Sequence, residues 1–567
     1  MTNMRRIIIS AFSAVVLAAL PAVRPANAQS GINSTVRVER NYEGRIANAV
    51  KSPLDTRVDD SLFNFRLKFD YTTFYDPYKD LYEFSPMMTL GPASEGKVVY
   101  PWFYARISAA YPWTPAADVY VTPRLGERFS FGVYFNHDSY WGNVPQVRLY
   151  GDRAVYDGQK RIGDRMKNRA GTFFGYRWKK GELKLDASYS GSVYSLATAN
   201  YAMAPSRQEV WNLYSNRFDN VAAALSVRST NPDRNAFYYN LDLGYRFFDN
   251  RQSIREHIAD ADISLGATIA GYHKLYLEFD GTFSGYGVWK LTPVYRWEKD
   301  RWRVKAGVTF SSNYGSTLDY GDHAGSRYLM YPDASVSFEA ARNALWLYLN
   351  VYGDNKIYTS YDIFSINPWM DNTGIARLAS TPFAAGIGLR GQVRDRFSYS
   401  LGADYALARN MLSFMSQQQG QKIYQIVAGG DSHVFTASGV LRWKSMDFFA
   451  LAEVNYRYLS NPKAALMTPA FDLNAVLEYN LKQRLFIRAD CYFRTATTGA
   501  AMLSEDFVTT LYRVPAFVDV GLRVSYAVNT RLMVFVEGNN LANSKIQYFL
   551  NYVEPGINIG AGICLKL

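Results

Sequence analysis

Nine charged residues in the last third of the chain are spaced as if to work together: Glu453, Arg457, Asp472, Glu478, Arg488, Asp490, Arg494, Asp519 and Arg523. Each follows an apolar or aromatic residue, and within each run the charges are separated by even numbers of positions. Charges spaced in this way on one face can line a path for ions and polar solutes, or pair across neighbouring strands into a structural ladder. The ladder is the commoner use and the preferred reading. They do not form a catalytic set. The five histidines (His137, His257, His273, His323 and His433) stand alone, and no nucleophile motif, metal-ligand spacing or phosphate loop appears. The chain is therefore read as a non-enzyme, with no cofactor and no metal.

Such charges need extended backbone to hold them. In Arg484–Arg494, Leu485, Ile487, Ala489, Cys491 and Phe493 alternate with Arg488, Asp490, Tyr492 and Arg494. In Phe517–Tyr526, Val518, Val520, Leu522, Val524 and Tyr526 alternate with Asp519, Gly521, Arg523 and Ser525. Successive side chains of a strand point to opposite sides, so each run has one apolar and one polar face. From Tyr100 onward the pattern predicts about 22 such strands, more than a soluble sandwich uses, in an all-β transmembrane antiparallel barrel. Every second connection is short, as at Lys180-Gly181, Arg342-Asn343 and Lys482-Gln483. Most of those between are long: 139–167, 197–216, 313–326, 354–381, 409–432, 498–515 and 542–555. This is the rhythm of periplasmic turns and extracellular loops, and an even strand number returns both termini to the periplasmic side.

The chain opens with Arg5-Arg6, an apolar run from Ile7 to Leu20 and an Ala-x-Ala end at Ala28, which reads as a signal peptide over 1–28. Residues 29–96 lack the alternation and read as a periplasmic arm without a separate plug domain, and 97–567 as the barrel. The aromatic stretch Phe63–Phe84 is expected to pack at the periplasmic mouth or in the lumen. Aromatics make up 16% of the chain, which suits the interfacial girdles of a membrane barrel. Tyr201, Trp211, Tyr214, Tyr358, Tyr361 and Trp369, in the long connections, are expected to anchor at the membrane interface rather than to stack on a sugar or dock a surface lipoprotein. The net charge of +12 is spread through turns and polar faces, with no basic arm. It points to lumen ion pairs and to contact with outer-membrane lipid and lipopolysaccharide, not to nucleic acid. Cys491 lies on an apolar face and Cys564 on a polar one, so no disulfide is expected between them.

Leu532–Leu541, which ends Glu537-Gly538-Asn539-Asn540-Leu541, resembles the end of TonB-dependent receptor barrels, as do Tyr548, Tyr552–Gly556, Pro515–Asp519 and Asn367–Met370. The resemblance implies a bacterial outer-membrane barrel that takes part in transport, as a pore or the barrel of an uptake system. Its departures are a stretch before Tyr100 too short for that family's plug, no TonB box, and Leu567 where an aromatic residue is usual. Energy coupling through TonB is therefore not carried over. The alternative function is a non-transporting scaffold in an outer-membrane assembly or secretion complex, with other subunits or a surface lipoprotein as partners. The leader is checked by the intact mass of the exported protein. It should begin at Gln29, and a mass that retains residues 1–28 contradicts the assignment.

Overall fold

The structure, a computed structural model, describes residues 102–567 except 127, 199–205, 230–236, 316–327, 343, 372–376, 394–395, 418–420 and 503–508. The expected leader, the arm with its stretch Phe63–Phe84, the question of a plug and Tyr201 all lie outside the described residues. Twenty-two strands, from Phe103–Tyr111 to Asn558–Lys566, form one antiparallel sheet. The sheet closes on itself, because the last strand pairs with the first from Tyr104 opposite Lys566 to Tyr111 opposite Ile559. Closure leaves no unpaired edge, so a backbone in lipid keeps its hydrogen bonds without water.

The period-two pattern sorts side chains between the two faces. Ile107, Leu477 and Ile563 are 54%, 48% and 50% exposed on the outside. Their sequence neighbours Arg106, Glu478 and Cys564 turn inward. A broad apolar exterior over a charged interior is the arrangement of a membrane barrel. Neither cysteine is in a disulfide. Cys491 sits outside, opposite Ala475 and Val520, and Cys564 sits inside, opposite Arg106 and Met533.

One end of the barrel carries tight turns. Lys482 and Gln483 are both left-handed, with φ of 53° and 57°, the geometry whose twist matches paired strands. The described chain also begins and finishes at this end, where the Trp102 amide donates to the Leu567 carbonyl at 2.9 Å. The opposite end carries the long connections, with a few short exceptions. At Asn250–Ile254 the Asn250 side-chain oxygen accepts from the amides of Gln252, Ser253 and Ile254, and the Asn250 backbone amide donates to the Ile254 carbonyl at 3.1 Å, which closes the turn.

Among the described residues, three of the long connections fold as hairpins: Asn143–Tyr150 with Arg153–Ile162, Leu412–Gln417 with Tyr424–Ala428, and Thr497–Met502 with Thr509–Val514. Met415 pairs in parallel with Ala500, and Arg513 with Arg153, so the three hairpins make one six-stranded sheet.

Leu477 stands mid-strand on the outer face of Phe471–Leu481. Leu477→Arg should lower unfolding stability in lipid vesicles by about 2–4 kcal/mol. A denaturant titration in which it matches the wild type would contradict the lipid-facing assignment.

Candidate functional site

The inner wall is the first candidate. Across the strands Phe448–Leu459 and Phe471–Leu481, Arg457 pairs with Asp472, which also accepts from the Asn455 amide at 3.0 Å. Asn474 donates to Glu453 at 3.3 Å. Arg488 bridges Glu478 at 3.0 Å and Asp490 at 2.9 Å, and Arg523 donates to Glu537 at 2.9 Å. Seven of the nine charges read from sequence thus stand in one ladder, which Glu537 extends. Glu537 belongs to the same alternation one strand further on, and its spacing could have included it.

The other two charges go elsewhere. Arg494 is 2% exposed at the long-loop end, donates to the Met467 carbonyl and lies 5.6 Å over the Tyr548 ring. Asp519 is buried at the same level, opposite Tyr492. On the far wall the pattern recurs. Lys290 contacts Asp280 at 2.9 Å and Asp354 at 2.8 Å, Arg296 contacts Glu278 at 2.8 Å, and Lys305 contacts Asp333 at 2.7 Å. Breaking a pair withdrawn from water costs more than its formation contributes, because the remaining charge is stranded.

The second candidate is the set of folded loops. Their side chains form one hydrophobic core with inner-wall residues Phe248, Tyr358, Tyr492 and Phe517. Trp369 is its hub. It stacks on Tyr552 with ring centroids 4.1 Å apart and meets Phe549 and Tyr194 edge-on. It donates through its indole N–H to the Ser195 carbonyl at 3.2 Å, while its own carbonyl accepts from the Tyr424 amide at 2.9 Å. The wall holds this segment further, since the Asn216 amide donates to the carbonyls of Pro368 and Met370 at 2.9 and 2.8 Å. Tyr424, 1% exposed, donates its hydroxyl to the Leu550 carbonyl at 2.8 Å, and Asn551 donates to Ser416 at 3.1 Å. Each fully buried side chain of this size contributes about 1.5–3 kcal/mol over its exposed state.

Two short helices lead into this core. Helix α1, Arg207–Leu213, starts from a capping box of Ser206 and Glu209, and Arg207 pairs with Asp164 at the foot of the first hairpin. Helix α2, Ser360–Ile366, starts from a capping box of Thr359 and Asp362 and buries Ile363 and Phe364. Burial pushes the carboxyls of Asp164 and Asp362 above the usual aspartate range, Asp164 against the pull of Arg207. It pushes the Tyr156 hydroxyl up to about 12 and that of Tyr424 well above the ordinary tyrosine value. In each case withdrawal from water inside the folded loops disfavours the charged form.

These contacts correct the expectation for the loop aromatics. Tyr358 and Trp369 pack in the core between the loops and the inner wall rather than at the membrane interface. Tyr361 meets Phe248 edge-on, with Arg246 3.9 Å from its ring, and Trp211 lies against Trp141 with centroids 4.7 Å apart. Tyr214 joins the foot of its loop, its carbonyl accepting from the Leu196 amide at 2.8 Å. The partners of Tyr361, Trp211 and Trp369 come from the wall or from other loops, far away in sequence, so local patterning does not mark them.

No family model matches the chain, and no curated protein matches it in sequence. Solved structures match its fold. A mutant of the ferric enterobactin receptor of Pseudomonas aeruginosa superposes with a TM-score of 0.56 at 11% identity, covering 83% of this chain and 81% of that one. The siderophore receptor PirA of Acinetobacter baumannii gives 0.57 at 10% identity, over 83% and 81% of the two chains. The FrpB iron transporter of Neisseria meningitidis gives 0.57 at 10% identity, over 83% and 82%. At such identity the likeness is one of fold, and it bears out the resemblance to TonB-dependent receptor barrels at that level.

Removing a buried Trp ring costs about 3–5 kcal/mol, and half-buried Trp369 should fall at the lower end of that range. In Trp369→Ala, limited proteolysis of the folded barrel should open segments 359–371, 410–431 and 540–557 together, because the Trp369 ring packs on Phe549 and Tyr552, against which Tyr424 also packs. Cleavage confined to 359–371 would show that the loops are held independently.

Proposed function

We propose that this chain is an outer-membrane barrel of the uptake type whose folded loops form a gate at the long-loop mouth. The observation that carries the reading is the shared core of loops and inner wall. A closed barrel of 22 strands encloses a wide lumen, and here the connections at one mouth pack onto its inside instead of standing away from it. The ion-pair ladders below keep the lumen polar, as passage of a hydrated solute requires. The fold is shared with proteins described as siderophore receptors and an iron transporter, which supports uptake over simple anchoring. In this reading the long loops face outside, both termini face the periplasm, and the outer face meets outer-membrane lipid and lipopolysaccharide.

The alternative is a scaffold subunit that conducts nothing. It is favoured by the completeness of the loop core, in which Ile363, Ile546 and Leu550 are wholly shielded from solvent. Planar-bilayer conductance of the pure protein separates the two, with Trp369→Ala and a chain lacking 29–96 beside the wild type. The gate reading expects low or intermittent conductance in the wild type and large, sustained openings in Trp369→Ala. Silence in all three proteins would leave the scaffold.

A further inference from the structure

The ladders compensate charge along most of the inner wall, but the short-turn half of one arc departs from them. It lies on four adjacent strands: Leu345–Tyr358, Arg377–Val393, Phe397–Arg409 and Ser432–Lys444. Their inner faces there carry Trp346 and Tyr348, then Arg390, then Ser398 and Ser400, then Arg442 and Lys444. Arg390 stands opposite Ser400, and Ser398 opposite Arg442. The two arginines are therefore two strand steps apart, about 10 Å at the usual spacing, with hydroxyls between them. Among the described residues neither Arg442 nor Lys444 has a carboxylate at ion-pair distance. Arg396 adds a further cation at the rim, where its carbonyl accepts from the Lys444 amide at 2.7 Å.

The patch has an aromatic side. The Arg390 guanidinium lies 5.9 Å from the Tyr348 ring centre, and that of Arg303 4.5 Å from the Trp346 ring centre. Tyr348 lies flat along the wall over two glycines. A Cβ at Gly388 would come within 2.3 Å of its hydroxyl oxygen, and one at Gly402 within 2.9 Å. A side chain at Gly388 would displace the ring and also meet the Leu401 carbonyl at 2.4 Å, so glycine there lets the ring lie along the wall.

Of the acids around the patch, Glu339 stands opposite Trp346 on the side away from Arg390, and Asp404 lies nearer the loops with one buried carboxylate oxygen unpartnered. Asp447 lies in the turn beyond Lys444, and Glu453 is engaged by Asn474. Among the described residues none of them is at ion-pair distance from Arg442 or Lys444. The patch thus combines cations, hydroxyl donors and flat aromatic surface on one stretch of the inner wall. That combination recognises a carboxylate-bearing or otherwise oxyanionic solute with some apolar body.

We infer that the inner wall around Arg390, Arg442 and Lys444 is a binding patch for anionic solutes. This names the substrate class of the uptake barrel proposed above and rests on that reading for its physiological use, although not for binding itself. The test uses the full protein in detergent micelles, with citrate as the probe in isothermal titration and reversal potentials across planar bilayers in a tenfold KCl gradient.

The wild type should bind citrate, more weakly as salt rises. The double variant R442Q/K444Q should bind at least tenfold more weakly, while Arg531→Gln, a rim cation outside the patch, should stay within about twofold of the wild type. Native folding of each variant is checked by its heat-modifiable mobility on gels. Where channels open, the wild type should prefer chloride and the double variant should lose that preference. Citrate binding that is absent in the wild type, or unchanged in the folded double variant, overturns the patch whether or not the barrel conducts. Binding lost in the double variant with no conductance in any form upholds the patch and sinks the uptake reading alone.

Discussion

The structure depends on the pairing of its last strand with its first. A strand in hydrocarbon must give every amide and carbonyl a partner, since an unsatisfied group there costs several kcal/mol. Closure from Tyr104–Lys566 to Tyr111–Ile559 meets that demand for the whole sheet at once. Everything inside follows from it. A closed sheet has an inner face that lipid cannot reach, so Arg488, Glu478 and Arg523 can occupy positions that would be untenable on the outside. Closure also fixes which residues are neighbours, and the ladders are read off the register.

The wall was legible in the sequence because its rule is local. Leu477 and Glu478 announce their faces by being adjacent, and the strand from Phe471 to Leu481 needs nothing further away to be recognised. The turn at Lys482-Gln483 is equally local. The loop core was not legible, for the opposite reason. Trp369 is explained by Tyr552, and Tyr424 by Leu550, through contacts between loops separated by several barrel strands. Thr497–Met502, with two threonines, a glycine and two alanines, has no period to read and becomes a strand through its pairing with Thr509–Val514 on one side and Leu412–Gln417 on the other. Arg494 and Asp519 show the boundary between the regimes. Their alternation is that of the ladder, but they sit where the wall meets the loops, and the loops claim them.

Charge is distributed with the same division. On two arcs of the wall cations and carboxylates pair across the sheet, whereas Arg442 and Lys444, at the short-turn rim, have no carboxylate at ion-pair distance among the described residues. The alternation alone did not show this, because an arginine with a partner across the sheet and one without look the same in sequence. Arg442 and Arg488 both follow apolar residues, and only their registers separate them.

The six-stranded loop sheet has a joint unlike its others. Its hairpins are sewn by several antiparallel pairs each, and Leu412–Gln417 and Thr497–Met502 by three parallel pairs, but Thr509–Val514 meets Arg153–Ile162 at the single pair Arg513–Arg153. Under load a sheet tears where the fewest bonds share the strain. This one would part into a four-stranded leaf and a two-stranded leaf, each hinged on its own stretch of wall and each intact. The mouth would then work like a pair of unequal doors meeting at one latch, so that opening it costs the latch and the ring packing behind it rather than the folding of either leaf.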